Sequence, residues 1–316
     1  MGERDLFGGI HAVLYALFQP DETLDLAAMA VQVEHCVAHG CHGITVLGLA
    51  TEVAKLTLNE RQALIAGVGA ANAGRLVFSV TIAGNSVAEQ VALARFASDH
   101  GADWLILQPP MVGTYGAETY LNFFERVALA VDLPVAVQNA PHYLGRALSG
   151  EDIARLRSLS ANVVCVKSED AAIGVQRIIG LTGGALHVLG GRGGLEMTDS
   201  LRAGCHGFVL APDIAPVAVR ILDLWRRGQI DQAEALYAQA LPAISFVMQS
   251  LEHLITYGKR IFAAHAGLPV HDRAPCLAPT GFGLDCGWLW AGTLAELALQ
   301  TTGPRSASRS DRGGLC

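Results

Sequence analysis

Apolar residues in this chain fall in short, nearly unbroken runs, and the stretches between the runs carry Ala, Leu, Val and Ile at helical spacing. The runs are HAVLYALF (11–18), GITVLG (43–48), LVFSVTI (76–82), DWLILQP (103–109), PVAVQNA (134–140), VVCVKSE (163–169), LHVLGG (186–191) and GFVLAP (207–212). Strands that are almost continuous in Val, Ile and Leu suit a parallel sheet covered on both faces, since a half-exposed strand would alternate. Eight such runs, roughly 20 to 33 residues apart and each followed by a helical segment, predict a (β/α)8 TIM barrel. An open, doubly wound sheet shares the alternation, but eight regular units with no midway change of order favour closure.

Helix starts agree with this count. Thr57-Leu-Asn-Glu60 and Ser86-Val-Ala-Glu89 fit the capping box, in which a hydroxyl and a carboxylate each satisfy an orphan backbone N–H. After the eighth run, residues 213–302 read as mainly helical. The expected organisation is a catalytic barrel over 1–227 and additional C-terminal helices over 228–302 that cap it or form an oligomer contact. The polar, Gly- and Ser-containing tail 303–316 reads as disordered.

At 316 residues the chain has the size of one such barrel with extra helices. Apolar residues make up 51% and charged residues 16%, with a mean hydropathy of +0.36, so the surface is sparsely charged and a homo-oligomer is expected. A net charge of −7 and a pI near 5.9 give no basic field for a phosphate backbone, which argues against nucleic acid as a partner. No stretch reaches the ~18 apolar residues of a membrane span, and MGERDLFGG lacks the pattern of a secretion signal. Seven scattered cysteines fit reduced thiols better than a disulfide framework. A soluble cytoplasmic protein is the expectation.

The chemistry concentrates on one residue type. Only three lysines stand against nineteen arginines, and Lys167 lies near the end of the apolar sixth run. Reactive side chains of a barrel belong at the C-terminal ends of strands. Side chains alternate along a strand, so Cys165, Lys167 and Glu169 share a face and an amine is set beside a carboxylate. Burial disfavours the charged form of an amine, and a free amine is what attack on a carbonyl requires. The competing reading is a structural ion pair of Lys167 with Glu169 or Glu52; Lys55 and Lys259 receive no role. The His35, Cys36, His39, Cys41, His42 group has metal-like composition but lies where a helix ends and a strand begins, so no metal is assigned. Gly190-Gly-Arg-Gly-Gly194 lacks the glycine order of a dinucleotide loop.

Gly48-Leu-Ala-Thr-Glu52, Gln138-Asn-Ala-Pro141, Val166-Lys167 and the Gly190–Gly194 stretch resemble the dihydrodipicolinate synthase / N-acetylneuraminate lyase family, over about residues 9 to 265. The resemblance implies a (β/α)8 barrel with C-terminal helices, usually a homotetramer, in which Lys167 forms an imine with a 2-oxo acid and no cofactor is used. It also implies that the backbone N–H groups of Leu49 and Ala50, in the loop continued by Thr51, hold the substrate carboxylate. The family's Gly-Thr-Thr-Gly-Glu is here Gly48-Leu49-Ala50-Thr51-Glu52, and its tyrosine at the end of strand five is replaced by Gln138, which is neither acid nor base. Tyr143 stands where the synthase has an arginine, and Pro110-Met111 where it has an aromatic relay. His142 and Tyr143, just past Pro141, either line the mouth and substitute for the missing groups or, the favoured reading, are exposed loop positions.

These departures resemble the sugar-acid dehydratases of the superfamily, particularly those acting on 2-keto-3-deoxy-pentonates. Retro-aldol cleavage needs a base for the C4 hydroxyl, the usual task of the missing tyrosine, whereas dehydration needs C3 deprotonation and a protonated leaving hydroxyl. The expected reaction is dehydration of a 2-keto-3-deoxy sugar acid through the Lys167 imine. Glu169 takes the C3 proton and Glu52 protonates the leaving group, while Gln138, Asn139, Gly190, Gly191 and Arg192 contact substrate. The alternatives are a pyruvate-dependent aldolase or a condensing enzyme like the synthase, and a 2-oxo-acid-binding protein that has lost turnover.

Overall fold

The eight runs become eight parallel strands that close on themselves. Residues 5–299 are described, in a computed structural model of the chain. The strands are β1 (Gly9–Val13), β2 (Gly43–Val46), β3 (Val77–Ile82), β4 (Trp104–Leu107), β5 (Val135–Asn139), β6 (Val163–Ser168), β7 (His187–Gly190) and β8 (Gly207–Leu210). Each pairs with the next, and β1 closes the barrel on β8 with Gly9 opposite Gly207 and His11 opposite Val209. Around them lie α1 (Leu26–Ala38), α2 (Leu58–Asn72), α3 (Val87–Asp99), α4 (Ala117–Ala128), α5 (Pro141–Leu144), α6 (Gly150–Leu159), α7 (Ala172–Thr182), α8 (Met197–Arg202) and α9 (Ala215–Arg226). The chain continues through α10 (Ile230–Val247), α11 (Leu251–His253), a π-helical turn (Leu254–Gly258), α12 (Lys259–Ala266) and α13 (Gly281–Leu299). Residues 303–316 lie outside the described residues.

Side chains of matched size fill the barrel interior. The His11 ring is fully buried edge-on against Trp104, and a Cβ at residue 43 would lie 2.1 Å from its Nδ1, so only glycine fits opposite it in β2. Burial pushes His11 down to about 4, which keeps the ring neutral inside the sheet. The hydroxyls of Thr45 and Ser79 satisfy each other at 2.7 Å.

The first strand differs from the expected 11–18. It begins at Gly9 and leaves the ladder after Val13, because Leu14–Phe18 climb over the rim, where Leu14 O accepts from Thr51 Oγ1 and the Tyr15 hydroxyl donates to Asp213. Residues on both sides of Val13 are buried and apolar, so hydrophobicity carries no mark of the strand's end. The Thr57–Glu60 capping box forms in full; at Ser86 the hydroxyl caps Glu89, but the Glu89 carboxylate accepts from Asn85 N instead. The described part of the C-terminal region is helical except for short breaks at 228–229 and 248–250 and the segment 267–280, which contains three prolines. There α10 packs on α9, α12 reaches α1, and α13 lies across α9, α10 and α12. No helix among the described residues is long and apolar enough to cross a membrane.

Candidate active site

Lys167 sits at the C-terminal end of β6, and its register sets what it meets. Between β5 and β6 the pairing slips at Val135/Ala136, where Val164 is the extra residue, and beyond the slip Gln138 is level with Lys167. A one-residue slip exchanges the faces of a strand, so this irregularity decides which β6 side chains enter the barrel mouth. Lys167 and Glu169 both enter it, as the alternation predicted, with Nζ and Oε1 2.8 Å apart and both residues about 5% exposed or less.

Glu169 is held by one further side chain, itself held by another. Gln138 Nε2 donates to the same Oε1 at 2.6 Å, and Gln138 Oε1 accepts from Gln108 Nε2 at 2.8 Å. Gln108, one step beyond β4, therefore orients Gln138, and Gln138 orients the carboxylate. A Cβ at Gly191 would lie 2.6 Å from Glu169 Cγ, so the glycine there makes room for the Glu169 side chain.

Lys167 and Glu169 line a cavity of about 40 Å³ together with Leu49, Ala50, Tyr143 and Arg192. Its remaining walls are apolar and come from β1, β8 and the C-terminal region, the last through Met248, Leu251 and Leu254. The backbone N–H groups of Leu49 and Ala50 donate to no protein acceptor among the described residues, as a carboxylate site would need. Tyr143 is not the exposed loop residue its position suggested. Asn139 makes two hydrogen bonds with the Leu148 backbone, at 2.9 and 3.1 Å, and so pins the chain segment that contains α5. Burial, and then the Glu169 charge, raise the Tyr143 pKa, so the phenol keeps its proton; nearby Arg192 opposes this. Arg192 has a left-handed backbone (φ 52) between glycines and an ion pair with Glu196 at 3.2 Å.

Other expected site residues lie elsewhere. Glu52 is 4% exposed but does not line the cavity; Lys55 Nζ bonds its Oε2 at 2.6 Å, and the fully buried Lys259 bonds its Oε1. Both carboxylate oxygens are thus taken up by lysines, and the placement does not fit a proton donor to substrate. Thr51 is fully buried against Leu14, Gln138 acts on Glu169 without touching the cavity, and Asn139 is committed to Leu148. Gly190 and Gly191 also stand outside the cavity wall: a Cβ at Gly190 would lie 2.6 Å from the Phe208 ring, so packing explains both glycines. Of the sequence candidates, Lys167, Glu169, Leu49, Ala50 and Arg192 come together; Tyr143, Gln108 and the three C-terminal side chains complete the site. A polar residue one step past a barrel strand was the available signal for Gln108. Between 35 and 42 the His35 and His39 rings lie 4.1 Å apart and Cys36 adjoins Cys41, but no group of three or more such side chains among the described residues is arranged to hold a metal ion.

With the site assembled, comparison with known proteins becomes specific. The sequence profile of the dihydrodipicolinate synthetase family matches residues 6–280. A protein named as a probable 2-dehydro-3-deoxy-D-pentonate aldolase, from Escherichia coli K12, is 27% identical over 280 residues, covering 86% of this chain and 91% of that one. The L-2-keto-3-deoxyarabonate dehydratase of Azospirillum brasilense is 29% identical over 243 residues, 75% of this chain and 78% of the relative. Among solved structures, YagE from E. coli K12, a member of the same family in complex with pyruvate, superposes with a TM-score of 0.83 at 25% identity, covering 93% of this chain and all of YagE.

Proposed function

From the premise that this chain belongs to the dihydrodipicolinate synthetase family, we propose that it is a lyase that forms an imine between Lys167 and a 2-oxo acid and then eliminates water. The observation that carries the reading is the placement of Lys167, Glu169 and Tyr143 around one cavity, an amine, a carboxylate and a protonated phenol.

The substrate carboxylate rests on the amides of Leu49 and Ala50. Lys167 Nζ adds to the C2 ketone and water leaves, which gives a cationic imine conjugated to the carboxylate. Glu169, oriented by Gln138, takes the proton from C3, and the C3–H electrons become the C2–C3 double bond of an enamine. The enamine expels the C4 hydroxyl, which leaves as water with the Tyr143 proton, and a C3–C4 double bond remains conjugated to the imine. Hydrolysis releases an unsaturated 2-oxo acid and frees Lys167, while the proton held by Glu169 returns to Tyr143. The imine is itself the electron sink, so the chemistry calls for no metal or organic cofactor.

Retro-aldol cleavage from the same imine requires a base at the C4 hydroxyl. Tyr143, with its pKa raised, keeps its proton and is not available as that base, which disfavours cleavage and leaves dehydration. The substrate is therefore a 2-keto-3-deoxy acid with a hydroxyl at C4, and the sugar acid in the Azospirillum dehydratase's name is the reference compound to assay. The assembly we propose is a homotetramer in the cytoplasm.

Borohydride reduction in the presence of pyruvate, followed by peptide mass mapping, tests the imine: Lys167 gains the mass of the reduced adduct. An unmodified Lys167 sinks the proposal. Product analysis with a C4-hydroxylated acid then reads water loss against pyruvate release, and release of pyruvate without water loss makes the enzyme an aldolase.

A further inference from the structure

A second, larger cavity of about 490 Å³ adjoins the catalytic one, and Leu49 and Leu251 line both. It lies between the β2–α2 loop, the π-helical turn and the segment around Pro275, and its apolar lining includes Val53, Ile255 and Leu277. Of its polar side chains, Lys55 bonds Glu52 and Arg273 O, and Thr256 Oγ1 donates to Leu277 O, while Glu252 stands exposed at the edge of the lining. The catalytic cavity, at about 40 Å³, has room for the reacting carbons and little more. Apart from Lys167, Glu169, Tyr143 and Arg192 its side chains are apolar, and a sugar acid's hydroxyls placed against Met248, Leu251 and Leu254 would find no partner there, which is costly for buried hydroxyls.

We propose that the cavity lined by Leu49, Val53, Leu251, Ile255 and Leu277 receives an apolar alkyl or aryl group that the 2-oxo acid carries beyond C4. This rests on the imine reading, which fixes C2 at Lys167, and it selects the substrate class by the walls on either side of Leu49 and Leu251. The reaction at C2 to C4 is unchanged: the acid R–CH(OH)–CH2–CO–COO⁻ with an apolar R loses water to give R–CH=CH–CO–COO⁻.

The test uses two acids without a C4 hydroxyl, which can form the imine but cannot react further: 2-oxo-4-phenylbutanoate and 2-oxo-5-hydroxypentanoate. Calorimetry on the full chain is expected to give at least tenfold tighter binding of the phenyl acid. Leu277→Arg, at a position 38% exposed, and Ile255→Asn should each cut that ratio to threefold or less and leave pyruvate binding within twofold of wild type. The exposed thiol of Cys276 lines the same cavity, so the phenyl acid, and not pyruvate, should slow its alkylation, read by peptide mapping. A wild-type ratio below tenfold, a ratio that survives both substitutions, or unslowed alkylation of Cys276 overturns the proposal. Failure of the imine reading shows separately, as an unlabelled Lys167 after borohydride with pyruvate, and takes the tail site with it; a labelled Lys167 with a failed binding ratio overturns the tail site alone.

Discussion

Every lysine of this chain ends on a buried carboxylate, and the two carboxylates divide the work. Glu169 shares the catalytic cavity with Lys167, whereas Glu52 is enclosed by Lys55 and Lys259 behind the cavity wall. In the proposed mechanism Tyr143 takes the proton-donor role that was expected of Glu52. Tyr143→Phe removes that phenol and leaves the Lys167 amine in place. Water loss should fall by roughly 10²–10⁴-fold, the usual range for one general acid, with Lys167 trapping by borohydride unchanged; an undiminished rate assigns the proton elsewhere. Asp213 supplies a second prediction at this scale. Burial raises its carboxyl from 3.8 to about 6, against the opposing hydrogen bond from Tyr15. A folded-state value above the unfolded one means that the contribution to stability is complete below about pH 4 and is lost as pH rises through 6. The two-unit shift corresponds to about 3 kcal/mol. Asp213→Asn keeps the acceptor for Tyr15 and removes the titration, so its stability relative to wild type should grow by on the order of 3 kcal/mol between pH 4 and pH 7 in urea unfolding. An equal pH dependence in the two proteins would show that Asp213 does not titrate this way. Lys167 and Glu169 were legible in the sequence, because strand alternation alone puts them together at a strand end. Tyr143 was legible only as the second choice to an exposed loop position, because its burial depends on the contacts of Asn139 with Leu148, which no local pattern encodes.

At the scale of elements, the β2–α2 loop shows why sequence position misled. Leu47 and Glu52 both adopt left-handed backbone (φ 62 and 56), a conformation that costs non-glycine residues of order 1–3 kcal/mol each. The loop holds that shape because Thr51 is anchored to Leu14 and Glu52 is clasped by one lysine from the loop itself and another from α12. The outcome is that Leu49 and Ala50 face Lys167 while Glu52 turns away. Hydrophobic pattern and motif order located the loop, but the hand of two backbone angles decides which of its side chains reaches the substrate. Burial draws the Lys259 pKa down while Glu52 draws it up, as expected of an ammonium kept in the interior only by its partner. Glu52→Gln removes one charge and deprives two lysines of the carboxylate they bond, one of them fully buried. A loss of roughly 3–5 kcal/mol is expected, the range for breaking a buried pair, together with weaker pyruvate binding as the loop relaxes. Normal stability in denaturant titration would mean that the clasp is incidental. The same change in a direct acid catalyst would instead abolish turnover and leave folding intact, so stability and rate together separate the two roles.

For the whole molecule, closure of the barrel was legible by counting, since eight similar buried runs leave no strand to serve as a sheet edge. Assembly is harder to read, because a strand's burial is written in its composition while a surface contact needs the shape of the surface. Among the described residues, large apolar side chains stand exposed in at least three places. One follows β4 at the barrel mouth, with Met111, Val112 and Tyr115; another is on α7, where Ile173 is 85% exposed; a third is α13, with Phe282, Trp288, Leu289 and Leu299. A tetramer with dihedral symmetry uses at least two distinct self-complementary surfaces, so these places suffice to supply them. If the β4 and α7 patches form the interfaces, Ile173→Glu should convert tetramers to dimers joined through the β4 side, and Val112→Glu should give dimers joined through α7. The double variant should be monomeric, as read by sedimentation velocity. The two dimers should also differ in rate. The Val112 patch adjoins the mouth in which Lys167 works, so losing its partner exposes that face to water, whereas the α7 patch lies on the outer helical layer and its loss leaves the site covered. A wild-type monomer, or single variants that remain tetrameric, would show that these patches serve another purpose.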